Sequence, residues 1–261
     1  MPASGSESIR RATVLTPQWQ GADGVSSYTR STVAALATKL PVEVWSLHET
    51  GPNRERTIPA GVACRWAGGS KRRLVGWALR RALKNCGDTV FLATHLGLSP
   101  ALLPVRFRGG RTAVMLLGIE AWGPLGGLDA QALRRSRLGA ISHFTAEGFR
   151  RRHPAFVQQP LAVVHLCLDL PAVAAPPAPP REGFALLVAR IAADERYKGH
   201  DQLLEAWPAV RAAAPEAKLL IAGDGDDRLR LEEKARAAGL SEAVRFLGRV
   251  SDVRLAELYE Q

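Results

Sequence analysis

The stretch LLVARIAADERYKGHDQLLEAW, residues 186–207, decides the fold of this chain. An apolar run at 184–190 is typical of a buried strand, and helical periodicity over 200–213 follows a polar loop. A strand, a loop and a helix in this order form the first half of a βαβ unit, so the stretch predicts a parallel sheet. Arg190 ends the strand, at the sheet edge where open α/β sheets bind ligands.

Two cations stand on either side of this loop. Arg190 ends the strand, and Lys198 follows eight residues later, just before Gly199 and the helix. Cations that converge at a strand end can hold a diphosphate and stabilise the charge that grows on it as a leaving group. The same spacing fits a pair of solvated surface cations, and spacing alone leaves both interpretations open.

The same alternation of strands and helices runs along the whole chain, which predicts an α/β protein. Strands are predicted at 11–17, 42–47, 89–93, 112–117, 137–142, 161–166, 218–222 and 244–247, and helices at 25–40, 71–86, 145–152, 226–238 and 252–261. Five prolines in residues 171–180 predict a stiff, extended connector. The prediction is therefore a domain at 1–170, a linker at 171–180, and a smaller three-stranded domain at 181–261.

A second candidate ligand loop, GADGVSSY, lies between the first strand and the first helix at residues 21–28. Gly24 would let the backbone approach a ligand, and the helix start would offer N–H groups to an anion. An ordinary strand-to-helix turn explains the same residues. The loop is not GxGxxG, which argues against a dinucleotide dehydrogenase.

Composition excludes several classes of protein. The net charge is +10, and residues 65–111 hold ten Lys or Arg and one acid. Such a block attracts nucleotide diphosphates, anionic lipid or nucleic acid, or is a solvated basic surface. We find no nucleic-acid-binding module, no zinc-ligand spacing and no run of about 18 apolar residues that could cross a membrane. Three scattered cysteines and the lack of a secretory signal predict reduced thiols and a cytoplasmic location.

Several segments together resemble the retaining glycosyltransferases of family 4. VARIAADERYKGHDQLLEAW is similar to that family's strand ending in G-R-L with a following K-G-h-d-x-L segment, and GADGVSSYTRSTVAALATKL, LGIEAWGPL and AKLLIAGDGDDRLRLEEKARAAGL resemble other family segments. The resemblance implies the GT-B fold, two Rossmann-like domains with the active site between them, the second being incomplete here. It also implies sugar transfer from a nucleotide-sugar to a saccharide or lipid-linked acceptor, with retention of anomeric configuration and without a metal or other cofactor.

The resemblance also suggests roles for individual residues. Arg190 and Lys198 match the family's diphosphate-binding pair, and Gly24 matches the glycine loop that faces the diphosphate. The segment near the nucleotide base corresponds to Leu247, Gly248, Arg249 and Val250. Glu120 and Trp122 match a G-i-E-x-W element at the active-site cleft in one subset of the family.

The chain departs from the family pattern at two places. Leu117 stands where that subset commonly has histidine, and His95 is the other histidine in a matching context, although a structural polar group at a strand end explains it equally. The E-x7-E segment that contacts the donor sugar falls beyond Gln261, so we expect residues 1–261 alone to be catalytically silent. A non-catalytic nucleotide-binding remnant and a GT-B sugar-nucleotide epimerase remain alternatives.

Residues 71–84, KRRLVGWALRRALK, combine helical apolar spacing with six cations. A basic amphipathic helix that contains Trp suits an anionic membrane surface, which would place the protein peripherally at the inner membrane face. The other interpretation is an ordinary helix that packs Leu74, Leu79 and Leu83 on its own sheet.

Overall fold

The computed structural model describes residues 8–21, 23–52, 58–84, 86–166 and 183–260. The chain divides into two compact units, Met1–Leu170 (unit 1) and Pro171–Gln261 (unit 2). Each unit has its own hydrophobic core. The predicted linker at 171–180 lies outside the described residues.

Unit 1 is built on a seven-stranded parallel sheet with the strand order β3-β2-β1-β4-β5-β6-β7. Its strands are β1 Arg11–Thr16, β2 Val42–Ser46, β3 Val62–Trp66, β4 Thr89–Ala93, β5 Arg111–Leu116, β6 Arg137–Ala140 and β7 Leu161–Val163. Its helices are α1 Gly24–Ala37, α2 Lys71–Leu83, α3 Leu103–Phe107, α4 Gly127–Arg134 and α5 His143–Arg152. The strand order reverses between β1 and β4, so the loops after these two strands flank the topological switch point, where such sheets bind ligands.

The strands of unit 1 are apolar because helices cover both faces of the sheet. Along β1, Val14 packs into one core cluster with Val33 and Val44, and the next residue, Leu15, packs into the other with Trp45 and Phe91. Successive strand side chains point to opposite faces, so one continuous apolar run serves both clusters. Among the described residues, no helix has the length and apolarity needed to cross a bilayer.

Unit 2 has a three-stranded parallel sheet with the order β10-β9-β8. The strands are β8 Phe184–Val188, β9 Lys218–Ala222 and β10 Val244–Gly248, and the helices are α6 His200–Ala213, α7 Arg228–Ala237 and α8 Asp252–Glu260. Ile191, Leu204, Trp207, Leu219 and Ile221 form the centre of its core. Since the three strands are parallel, the loops after them emerge at one edge of the sheet.

The parallel α/β architecture predicted from the sequence is confirmed, and each predicted strand and helix is present with small shifts at its ends. The sequence pattern missed the edge strand β3 and the short helices α3 and α4. β3 is half exposed along its length and contains Arg65, so it lacks the apolar run of the inner strands. α4 has eight residues and begins at Gly127, directly after Gly126, which gives it little helical signal.

Candidate functional site

Arg190 lies in a backbone segment that is held at both ends. The N–H of Ala189 donates to Ala222 O at 3.1 Å, which extends the ladder past the end of β8. The N–H of Ile191 donates to Asp224 O at 3.0 Å. Because one neighbour is tied to the last residue of β9 and the other to the turn after β9, the backbone of Arg190 is fixed at the carboxyl edge of the sheet. Its side chain is 64% exposed.

Glu195 joins the two predicted cations. Arg190 donates to the carboxylate twice, from Nε to Oε2 at 2.8 Å and from Nη2 to Oε1 at 2.6 Å. Lys198 Nζ lies 2.9 Å from the same Oε2. The structure thus brings Arg190 and Lys198 together, as the sequence pattern predicted, but through an acidic residue that the sequence analysis did not single out.

The hydrogen bond from Arg190 holds the pKa of the Glu195 carboxyl well below its usual range, at about 2, and the Lys198 ammonium lowers this pKa further. Burial acts in the opposite direction but is outweighed. Glu195 is therefore ionised at neutral pH, and the three side chains together carry one net positive charge.

The turn after β9 presses its backbone against the segment that carries Arg190. A Cβ atom on Gly223 would lie 1.8 Å from Ala189 O, and one on Gly225 would lie 1.9 Å from Ile191 O. Such distances are impossible for any side chain, so only glycine permits this approach. The Gly223–Gly225 turn therefore sets the position of Arg190.

The loop after β10 reaches the same edge of the sheet. Gly248 has φ of +68°, and its carbonyl accepts a hydrogen bond from the Gly223 N–H at 2.9 Å. Arg249 is exposed, and Leu247 and Val250 are half buried. The predicted base-side residues thus lie beside the glycine turn. The segments at the carboxyl ends of β8, β9 and β10 lie at one edge of the sheet, and we call them the unit 2 edge: residues 189–199, 223–225 and 247–250.

In unit 1, Gly24 is the first residue of α1, and a Cβ atom there would contact nothing within 4 Å. The helix start is already capped, because Asp23 accepts from the Ser26 N–H at 3.0 Å and from its hydroxyl at 2.8 Å. Burial raises the pKa of the Asp23 carboxyl, but these hydrogen bonds lower it by more. An anion at this helix start would meet an ionised carboxylate. Gly24 is therefore a weaker candidate than Arg190 for binding a diphosphate.

The loop before Gly24 is organised by a residue that sequence reasoning missed. Glu49 accepts from the N–H of Trp19 at 2.8 Å and of Gln20 at 2.6 Å, and it also contacts the Ser46 hydroxyl. Arg30 donates to the carbonyls of Trp19 and Gly21. The Glu49 carboxylate and the Arg30 guanidinium thus fix the backbone after β1 at the switch point. Glu49 reaches this loop because β1 and β2 are neighbours in the folded sheet, which the sequence spacing does not show.

Glu120 and Trp122, predicted at the cleft, lie in the loop after β5. Glu120 Oε1 accepts from the N–H of Leu117 at 2.6 Å and of Gly118 at 3.2 Å, so it stabilises its own turn. The Trp122 indole packs edge-on against Phe144 at 5.5 Å, and a Cβ atom on Gly148 would lie 2.5 Å from its Nε1. These contacts explain both residues structurally, and their cleft role stays a prediction.

His95 lies at the end of β4 and caps the following 3-10 helix, Leu96–Leu102. Its Nδ1 accepts a hydrogen bond from the Gly97 N–H at 3.0 Å. The ring proton of neutral His95 therefore resides on Nε2. This contact favours the structural interpretation over a catalytic one. No group of three or more potential metal ligands occurs in the described ranges, and the expectation of a metal-independent protein stays a prediction.

Comparison with known proteins supports the interpretation of unit 2. Residues 174–261 match the family model for glycosyl transferases group 1. The chain is 39% identical over 72 residues to a phosphatidyl-myo-inositol mannosyltransferase of Mycobacterium leprae, a match that covers 25% of this chain and 18% of that protein. It is 33% identical over 144 residues to a GDP-mannose-dependent monoacylated alpha-(1-6)-phosphatidylinositol monomannoside mannosyltransferase of Corynebacterium glutamicum, covering 49% and 36%. The match thus spans about a fifth to a third of these relatives.

Solved structures agree on the fold. The lipopolysaccharide outer core galactosyltransferase WaaB, in its apo form, superposes with a TM-score of 0.65 at 15% identity, covering 96% of this chain and 71% of that one. Anabaena Alr3699/HepE, in complex with UDP and glucose, gives a TM-score of 0.65 at 14% identity, covering 94% and 70%. At these identities the likeness shows a shared fold and nothing more about the site.

Proposed function

We propose that this protein transfers a sugar from a nucleoside-diphosphate sugar to an acceptor hydroxyl, because residues 174–261 match the family model for glycosyl transferases group 1 and the chain has the GT-B glycosyltransferase fold. One observation carries the proposal: Arg190 and Lys198 converge on Glu195 at the carboxyl edge of a parallel sheet, beside the tight Gly223–Gly225 turn. Cations and close-approaching backbone together suit a diphosphate.

The chemistry assigned to these residues is charge stabilisation. When the bond between the sugar and the diphosphate breaks, the nucleoside diphosphate leaves with the bonding electrons and gains negative charge. A guanidinium and an ammonium fixed beside it stabilise that charge, and this stabilisation grows toward the transition state. Retention of anomeric configuration and independence of metal belong to the proposal through the family resemblance.

The acceptor proposed is a saccharide or lipid-linked molecule of the cell envelope. This class is supported by the relatives, which are named as mannosyltransferases acting on phosphatidylinositol derivatives, and by a fold neighbour named as a lipopolysaccharide galactosyltransferase. The donor base and sugar are left open, because the names of relatives and neighbours include both GDP-mannose and UDP.

Calorimetric titration with matched nucleotides tests the donor half of the proposal. We expect UDP or GDP to bind at least about tenfold more tightly than UMP or GMP, because the second phosphate adds charge-assisted hydrogen bonds worth about 1.5–3 kcal/mol each. Equal affinities for diphosphate and monophosphate would contradict the assignment. Because residues 1–261 alone are expected to be catalytically silent, transfer assays with UDP-glucose, GDP-mannose and phosphatidylinositol are made on a protein that carries the E-x7-E segment. Transfer by that protein supports an enzyme, and binding without transfer supports the non-catalytic alternative.

We also propose that the protein contacts a membrane surface peripherally, through α2. Leu74, Ala78 and Ala82 face the core of unit 1. Val75, Leu79 and Leu83, one turn apart along the helix, are 39%, 50% and 70% exposed. The interpretation of α2 as a helix that packs on its own sheet holds for Leu74, but not for Leu79 and Leu83, since the smaller Ala78 and Ala82 are buried in their place. Arg72, Arg80 and Lys84 are also exposed on α2 and at its C-cap, so this helix presents both apolar and cationic side chains, as an anionic lipid surface requires.

Vesicle co-sedimentation checks this contact. We expect binding to rise with the fraction of phosphatidylglycerol and to fall at high salt. Replacing both Arg72 and Arg80 by Glu should weaken binding at least about tenfold, since each cation near an anionic surface contributes about 1 kcal/mol. Leu79→Ser with Leu83→Ser should also weaken it, whereas Leu229→Ser, equally exposed but in unit 2, should not. Binding that ignores lipid charge would contradict the proposal.

A further inference from the structure

Glu195 contacts both cations of the proposed diphosphate site, and the proposed function gives it no role. Its side chain is 11% exposed, whereas the side chains of Arg190 and Lys198 are 64% and 27% exposed. The carboxylate therefore lies on the protein side of the two cations. A ligand that arrives from solvent meets the guanidinium and the ammonium before it meets the carboxylate.

The geometry of the three groups is that of a shared anchor. Arg190 Nε and Lys198 Nζ lie 2.8 and 2.9 Å from one oxygen of Glu195, and Arg190 Nη2 lies 2.6 Å from the other. Two cations so close to each other repel unless an anion lies between them. Arginine and lysine also lose considerable rotamer entropy when they are fixed. Glu195 offsets the repulsion and restricts both side chains before any ligand binds.

The backbone around Glu195 is itself constrained. Glu195 belongs to the 3-10 helix Ala193–Lys198, and its N–H donates to Ala192 O at 2.9 Å. The Ala193 N–H donates to Asp226 Oδ1 at 3.0 Å, which ties this helix to the segment after the glycine turn. Because these hydrogen bonds fix the backbone of Glu195 at the sheet edge, its carboxylate holds both cations at a defined place on that edge.

We propose that Glu195 is a positioning residue that holds Arg190 and Lys198 in the arrangement in which they bind a diphosphate. This inference rests on the proposed function of the same site. The change in diphosphate affinity that it predicts for loss of the Glu195 charge is opposite in sign to the change that simple electrostatics predicts. If Glu195 only reduced the positive charge or competed with the ligand, removing its charge would tighten diphosphate binding. If it positions the cations, removing its charge weakens binding although the site becomes more positive.

The test is calorimetric titration of UDP, GDP and inorganic pyrophosphate into wild type and three variants. Glu195→Gln keeps the shape and removes the charge, and Glu195→Asp keeps the charge and withdraws it by one methylene. Glu216→Gln makes the same change at an exposed carboxylate of unit 2 that lies outside the unit 2 edge. We expect about five- to tenfold weaker binding for Glu195→Gln, the loss that corresponds to ordering two flexible side chains. Glu195→Asp should lose less, and Glu216→Gln should bind as wild type.

A double-mutant cycle separates positioning from general support of the fold. In an Arg190→Ala background, Glu195→Gln should weaken diphosphate binding by clearly less than it does in wild type, because one of the two side chains that Glu195 positions is absent. The same loss in both backgrounds would contradict the proposal. If wild type binds a diphosphate and Glu195→Gln binds it equally or more tightly, the positioning role of Glu195 is overturned and the proposed function stands. Failure of wild type to bind all three probes would overturn both.

Discussion

Arg190→Ala is expected to weaken the binding of a nucleoside diphosphate by about tenfold or more, a loss of at least about 1.4 kcal/mol. The guanidinium contributes charge-assisted hydrogen bonds, and its removal also leaves Lys198 alone with the Glu195 carboxylate. That remaining pair is neutral, so the site loses its net positive charge. Calorimetric titration of UDP and GDP into wild type and variant measures the loss directly.

Arg236→Ala serves as the matched control for this variant. Arg236 is an exposed arginine in the last turn of α7, so the substitution removes the same charge from the same unit outside the unit 2 edge. We expect it to leave affinity within about twofold of wild type, because exposed charges act weakly and are screened by salt. If both variants lose affinity equally, the effect comes from net charge, and the assignment of Arg190 is refuted.

Gly223→Ala should have the largest effect on stability. The new Cβ atom would lie 1.8 Å from Ala189 O, and the residue has φ of +156°. The backbone must move to relieve this collision, which we expect to cost about 3 kcal/mol or more. Since Ala189 precedes Arg190, the displaced turn should also reduce diphosphate affinity in whatever protein remains folded.

Amide hydrogen exchange along β9, Lys218–Ala222, reports the stability of unit 2 separately from unit 1. We expect faster exchange in Gly223→Ala and no change along β1, Arg11–Thr16, in unit 1. Gly183→Ala is the control, because a Cβ atom there contacts nothing within 4 Å. Unchanged exchange in Gly223→Ala would show that the close approach of this turn to β8 does not limit stability.

The order of strands and helices along the chain could be predicted, because the spacing of apolar residues indicates the type and the buried face of each element. The same reasoning placed Arg190 and Lys198 near each other, since both residues border the loop after β8. It did not reach Glu195, because its contact with both cations depends on the 3-10 turn at Ala193–Lys198 and its kink at Glu195. Glu49 was missed for a related reason: its contacts with Trp19 and Gln20 span about thirty residues and exist only once β1 and β2 pair.

Periodicity also could not decide which apolar residues of α2 are buried. Val75, Leu79 and Leu83 have the same spacing as Leu74, Ala78 and Ala82, and a pattern that favours larger side chains selects the wrong row for the core. The buried row has small residues at Ala78 and Ala82, and Trp77 beside them packs edge-on against Trp45 at 5.8 Å. Only packing against the folded sheet distinguishes the two rows.

Amide chemical-shift mapping with UDP and GDP tests the central claim, that the unit 2 edge binds the diphosphate of a nucleotide-sugar. We expect the largest perturbations at residues 189–199, 223–225 and 247–250 of the 15N-labelled protein, saturating with a single affinity, and much smaller ones with UMP or GMP. Saturable binding whose perturbations miss these three segments, or no perturbation at millimolar nucleotide, would contradict the claim.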